Sequence, residues 1–158
     1  MPITPLHFGL LAPINHFAPN KVSGVSFILV NLWIDAIAII NWFQGITLPS
    51  HDEGNHTLPG AMLIAVFIAV LGMRSMKWVL GAFLGALTHV LLDGLVHPEM
   101  QPLHPMTDNP FYMGWMEPLS LFLVPFLIWL IFQYVSYSLG WLRKTLAAER
   151  ERTEGPSP

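Results

Sequence analysis

Of the 158 residues, 53% are hydrophobic and only 11% are charged, whereas an average soluble domain carries about 25% charged residues. That composition points to the lipid bilayer as a partner. A net charge of −3 with scattered basic residues argues against nucleic-acid binding. With no cysteine there is no disulfide and no thiolate ligand, so a metal would have to be held by His, Asp, Glu or water.

The N-terminal segment TPLHFGLLAPINHFAP lacks Lys and Arg, and Pro2, Pro5 and Pro13 interrupt its apolar run. No cleavable signal peptide is expected there, and the first long apolar stretch would serve as the insertion signal. The segment is roughly 21 Å long if wholly helical, too short to span. Two placements are open: lying flat on the cytoplasmic surface, or dipping in from the outer side and turning at Pro19 to Lys21. The second is preferred, because a re-entrant piece is tolerated where it is buried against protein. It also puts His7 on the outer side.

Four stretches then read as membrane spans: Val22 to Gly45, Leu58 to Met73, Met76 to Val96, and Pro118 to Trp141. The expected fold is an all-α membrane bundle of four transmembrane helices plus a short N-terminal helix. Residues 1–144 would form one transmembrane domain, and 145–158 a polar cytoplasmic tail. Lys21, Arg74, Lys77, Arg143 and Lys144 fall on one side of these spans, which the positive-inside rule assigns to the cytoplasm. The loops Ser50 to His56 and His97 to Glu117, rich in His and acidic residues, then face outward. Trp42, Trp78, Trp115 and Trp141 lie near span ends, as an aromatic belt does.

The third span is the unusual one. His89, Asp93 and His97 recur at four-residue intervals and so share a helix face, and His104 follows in the adjoining loop. Ionisable side chains at membrane depth are costly and mark functional candidates. Asp35 lies roughly 15 Å below the outer end of its span and His89 roughly 12 Å below the end of the third, so the two can meet at one depth. His56 sits at the outer mouth of the second span. For His89 and Asp93 the residues alone leave two options, a buried ion pair or a metal site. Asn31 and Asp35, also spaced by four, are read as hydrogen-bonding a neighbouring helix, and His16 and His51 as interfacial residues. Gly81 and Gly85 form a small-xxx-small pattern suited to close helix contact.

The order of these residues resembles a family. MPITPLHFG, an Asp in the first long apolar helix, HTLPG opening the next, and THVLLDG followed by QPLHP look like the bacterial inner-membrane metal-dependent hydrolase family. That family is distantly similar to zinc-dependent phospholipases C. The resemblance runs from about His7 to Gly114. It implies a divalent metal, zinc, with His7, Asp35, His56, His89 and Asp93 as ligands and Asp35 or Asp93 as proton acceptor. It also implies an inner-membrane location with the site facing outward. The chain departs from the pattern in offering His56 alone where a second His is usual, and in carrying His104, a replacement ligand, where Trp or Tyr is common. Together with His97, these residues make up the candidate metal set.

The leading expectation is therefore a membrane-bound hydrolase-like protein acting on a phosphoester or lipid at the outer face. The alternative is a non-catalytic subunit of a larger membrane assembly that keeps the fold. A haem or quinone carrier is disfavoured, since carboxylates beside the histidines suit hard or borderline divalent ions better.

Overall fold

The computed structural model describes residues 5–45, 54–106, 108–114 and 119–154. His51, Trp115 and the start of the fourth expected span lie outside them, as does the side chain of Trp42. The described residues are helical, with no strand. Two short helices, α1 (Pro5–Phe8) and α2 (Leu11–Phe17), lead to α3 (Gly24–Ile34) and α4 (Ala36–Phe43). A 3-10 turn at Gly54–His56 then opens α5 (Leu58–Leu71), followed by α6 (Met76–Val96) and α7 (Leu119–Glu154).

The expectation of four spans is corrected to two candidates. Among the described residues, only Met76–Val96 and residues Leu123–Arg150 of α7 are long and apolar enough, by length and composition, to cross a membrane. The first expected span is interrupted at Asp35, where the backbone closes α3 (φ −83, ψ 0) before α4 begins, leaving helices of 11 and 8 residues. The second stops at Gly72 after 14 residues. Each falls short of the roughly 20 residues a spanning helix requires. The polar segment after Lys144 carries on as helix to Glu154.

Helix starts follow local chemistry. Ser23 caps α3 by accepting from the Ser26 N–H, and Thr57 caps α5 by accepting from Gly60 N–H at 3.1 Å, with Pro59 in the first turn. The helices α3 and α6 run parallel and in close contact, with α5 antiparallel against both. Ser23 N–H donates to Lys77 O at 2.9 Å and Ser26 Oγ to Trp78 O at 2.8 Å, which pins the starts of α3 and α6 side by side. Small residues make this approach possible. A Cβ on Gly81 would collide with Ser26 Oγ and Ser23 O, and one on Gly85 would sit 2.9 Å from Phe27 O. Ala61, Ala65, Ala69, Ala82 and Ala86 fill the centre with Val30, Ile34, Ile64, Ile68 and Val90.

Among the described residues, α7 packs chiefly on the N-terminal piece, with Tyr134 reaching Gly24 at the start of α3. The backbone at Gly9 abuts Leu123 and Leu127, and Gln133 Nε2 donates to Ala12 O at 3.1 Å. The N-terminal segment folds back along the bundle and turns at 18–21, where Lys21 N–H donates to Ala18 O and Asn20 takes φ 60. Lys21, Arg74 and Lys77 thus gather at one end of the bundle. His56, Asp35 and Asp93 lie at the other.

Candidate metal centre

The polar end is assembled by four elements. Asp35 is placed by the break between α3 and α4, His56 by the 3-10 turn before α5, His89 and Asp93 by successive turns of α6, and His7 by α1. All five are buried: His89 is 0% exposed, His7 1%, His56 2%, Asp93 6% and Asp35 8%. The end of α6 is fixed by Asn109, whose Nδ2 donates to Gly94 O at 2.7 Å and to His97 O at 2.8 Å, satisfying carbonyls that a helix terminus leaves open. Pro102 O accepts from Leu58 N–H at 2.7 Å, tying the 97–114 loop to the start of α5.

One ligand-type atom from each of Asp35, His56, His89 and Asp93 falls within 4.8 Å of all the others. His56 Nε2 lies 3.0 Å from Asp35 Oδ1, while His89 Nε2 lies 3.4 Å from Asp35 Oδ1 and 3.3 Å from Asp93 Oδ2. His7 Nε2 lies 3.3 Å from Asp93 Oδ1, and its ring stacks on that of His89 at 4.3 Å between centroids. Two buried atoms, His89 Nε2 and Asp93 Oδ1, stand at these distances without hydrogen-bond geometry. Such spacing suits donors that share an ion: atoms about 2.0–2.2 Å from a common tetrahedral centre are about 3.3–3.6 Å apart.

Charge points the same way. Two carboxylates are buried together, and each ion pair at this end among the described residues is to a histidine. Lys21, Arg74, Lys77, Arg143 and Lys144 are exposed. Asp93 also sits in the last turn of α6 and Asp35 at the end of α3, where the carbonyl ends of both helices favour positive charge. A divalent cation would balance the two carboxylates and satisfy the unbonded Nε2 and Oδ1 together. The buried Asp35–His56–His89–Asp93 group can therefore hold a metal ion.

The remaining candidates lie elsewhere. His97 forms the end of α6, half-buried, with Nδ1 3.4 Å from Glu99 Oε1, and His104 is exposed on the loop. Neither belongs to the four-residue group. His16 packs edge-on to Phe17 and lies against Trp129. One residue read as helix glue does more. Asn31 is fully buried and its Oδ1 lies 2.9 Å from His89 Nδ1. The signal for it was present, since Asn31 and Asp35 repeat on α3 the four-residue spacing of His89 and Asp93 on α6. The parallel packing of the two helices brings the pairs to matching heights.

No family model, curated protein or solved structure matches the chain. What the fold and the group define is an all-helical protein with two candidate membrane helices and a buried Asp/His cluster able to take a metal ion.

Proposed function

We propose that the protein is a membrane-embedded, zinc-dependent hydrolase acting on a phosphoester or lipid headgroup at the outer face of a bacterial inner membrane. The observation that carries this reading is the convergence of two carboxylate oxygens and two imidazole nitrogens, all buried, within 4.8 Å. Mixed His and carboxylate donors without Cys are typical of catalytic rather than structural zinc. A bound zinc would supply an acidified water and polarise the scissile phosphoryl or acyl group. Within the group the remaining exposure lies on the carboxylates, so Asp35 and Asp93 are the members nearest to solvent, and either is placed to accept a proton. The order of ligands along the chain adds the resemblance to the inner-membrane metal-dependent hydrolases.

The membrane placement rests on where the apolar surface lies. Val25, Leu29, Leu32, Trp33, Ile37 and Ile40 face outward from α3 and α4, as Leu63, Val66, Phe67 and Val70 do from α5. The closest helix contacts are made at Ala and Gly, beside Val and Ile. Small residues inside and large apolar residues outside suit a bundle solvated by lipid. In this reading the end of the bundle that carries Lys21, Arg74 and Lys77 lies at the cytoplasmic side. Because the chain has no cysteine, an Asp108→Cys variant should react with an impermeant thiol reagent in intact cells and a Ser75→Cys variant should not. The opposite pattern would reverse the orientation.

One observation favours the second reading, a non-catalytic subunit of a larger membrane complex. The four donors already make a full tetrahedral set, and the centre is almost closed. Turnover decides between the two. Zinc-loaded protein should cleave phosphodiester or phospholipid substrates, and Asp35→Asn should abolish cleavage while the fold persists. Bound zinc without metal-dependent turnover across such a panel, in protein isolated only with other membrane subunits, would install the subunit reading.

A further inference from the structure

The two nitrogens of His89 have different partners, and the partner of Nδ1 is itself held. Asn31 Nδ2 donates to Phe27 O at 2.8 Å. A carbonyl oxygen can only accept, so this bond fixes which way the amide of Asn31 points and turns its Oδ1 toward His89 Nδ1, 2.9 Å away. That oxygen also can only accept. The proton on the ring must then sit on Nδ1, and the lone pair of the neutral imidazole is left on Nε2, facing Asp35 Oδ1 and Asp93 Oδ2 at 3.4 and 3.3 Å. Both Asn31 and His89 are fully buried, so water does not compete for either bond. Gly85 completes the arrangement, because a Cβ there would come within 3.1 Å of Asn31 Nδ2.

We propose that Asn31 is a positioning residue: through a relay from the Phe27 carbonyl to Asn31 to His89 Nδ1–H, it fixes His89 in the tautomer whose Nε2 can ligate a metal. The inference rests on the metal reading of the Asp35–His56–His89–Asp93 group and adds a residue that touches no ion. A histidine ligand that donates its second ring N–H to a fixed acceptor is held in tautomer and orientation, and loss of such an acceptor weakens metal binding by about 10–100-fold.

The test uses the full chain in detergent micelles with zinc as the probe, titrated against a competing chromophoric chelator. Asn31→Leu removes the acceptor and should lower zinc affinity by about 10–100-fold. Asn31→Asp keeps an acceptor for Nδ1–H while losing the bond to Phe27 O, and should bind zinc more tightly than Asn31→Leu. A purely structural Asn31 would give the opposite relation, with both variants weakened alike because both lose the Phe27 bond. Nitrogen NMR of the imidazoles in zinc-loaded wild type should show His89 protonated at Nδ1 and metal-bound at Nε2, a readout that stands even if Asn31→Leu does not fold. The proposal is overturned by wild-type affinity in Asn31→Leu, by equal weakening in the Leu and Asp variants, or by a His89 proton on Nε2. If wild type binds no zinc, the metal reading itself falls and this inference with it, whereas zinc-binding wild type with unaffected Asn31→Leu removes the relay alone.

Discussion

The same pair of helices does opposite things at its two ends. Near Ser23 and Gly81 the backbones of α3 and α6 approach so closely that a single Cβ would not fit. Two to three turns further on, the facing positions are Asn31 with Asp35 and His89 with Asp93, four polar side chains in a buried layer. The tight end needs no ligand to be stable, because its polar atoms are used: Ser26 Oγ bonds Trp78 O, and Trp78 Nε1 bonds Ile68 O at 2.6 Å. The polar end leaves His89 Nε2 and Asp93 Oδ1 without hydrogen bonds. Unmet polar atoms in a low-dielectric interior are costly, so the difference locates the part of the molecule that a bound ion would stabilise.

The largest effect should come from breaking the polar end at its centre. His89 faces both Asp35 and Asp93, and His89→Ala leaves two buried carboxylates without it. Removing one partner of a buried charged pair costs about 3–5 kcal/mol. Thermal unfolding in detergent should show a loss of this size together with loss of bound zinc. A variant that kept its zinc would place the ion elsewhere.

Loading and stripping the metal should give the next largest effect. An ion that binds only the folded chain stabilises it by about 2.7 kcal/mol at 100 times its dissociation constant. Excess zinc should raise the unfolding midpoint of wild type, chelator should reverse the rise, and His89→Ala should be insensitive to both. Equal stability with and without zinc in the wild type would mean that the unbonded atoms at the polar end are not the binding site.

At the tight end the metal should matter little. Gly85→Val places side-chain atoms against Phe27 O and the Asn31 amide, and overpacking of this kind costs about 1–3 kcal/mol. Gly81→Val lies about one turn further from the centre and meets Ser23 and Ser26 instead. Both should lower the unfolding midpoint of chelator-treated protein. Gly85→Val should in addition weaken zinc binding by disturbing Asn31, and Gly81→Val should not. Equal zinc loss in both would make the coupling one of general helix separation.

What could be read from the sequence differs between the ends for a physical reason. His89 and Asp93 stood out because ionisable groups four apart on an apolar helix have few explanations, Asp35 because its expected depth matched that of His89, and His56 because it stood at the outer mouth of the second expected span. The break at Asp35 was invisible: VNLWIDAIAIINWF is apolar on both sides of it, without Gly or Pro, so hydropathy reads one span where the backbone makes two helices. Asn31 was read as bonding a neighbouring helix, and it does so. Only the parallel register of α3 on α6 shows that the neighbour is His89. His97 continued the four-residue ladder on paper, yet α6 stops at Val96 and the ladder ends with it.

The smallest effect tests that last boundary. His104 lies on the loop after α6, where QPLHP places it among prolines, and it is exposed while the four-donor group is buried. A ligand to that group would have to give up its water contact and bring the loop inward, displacing Met100 and Pro102, which the same loop already buries. The Leu58 bond to Pro102 O also holds the loop where it is. His104→Ala should therefore change stability by less than about 0.5 kcal/mol, as exposed substitutions usually do, and leave zinc affinity at the wild-type value in the chelator competition. A fall in affinity comparable to that of Asn31→Leu would show that the loop closes onto the ion when it binds, and would extend the centre from the helices to the loop.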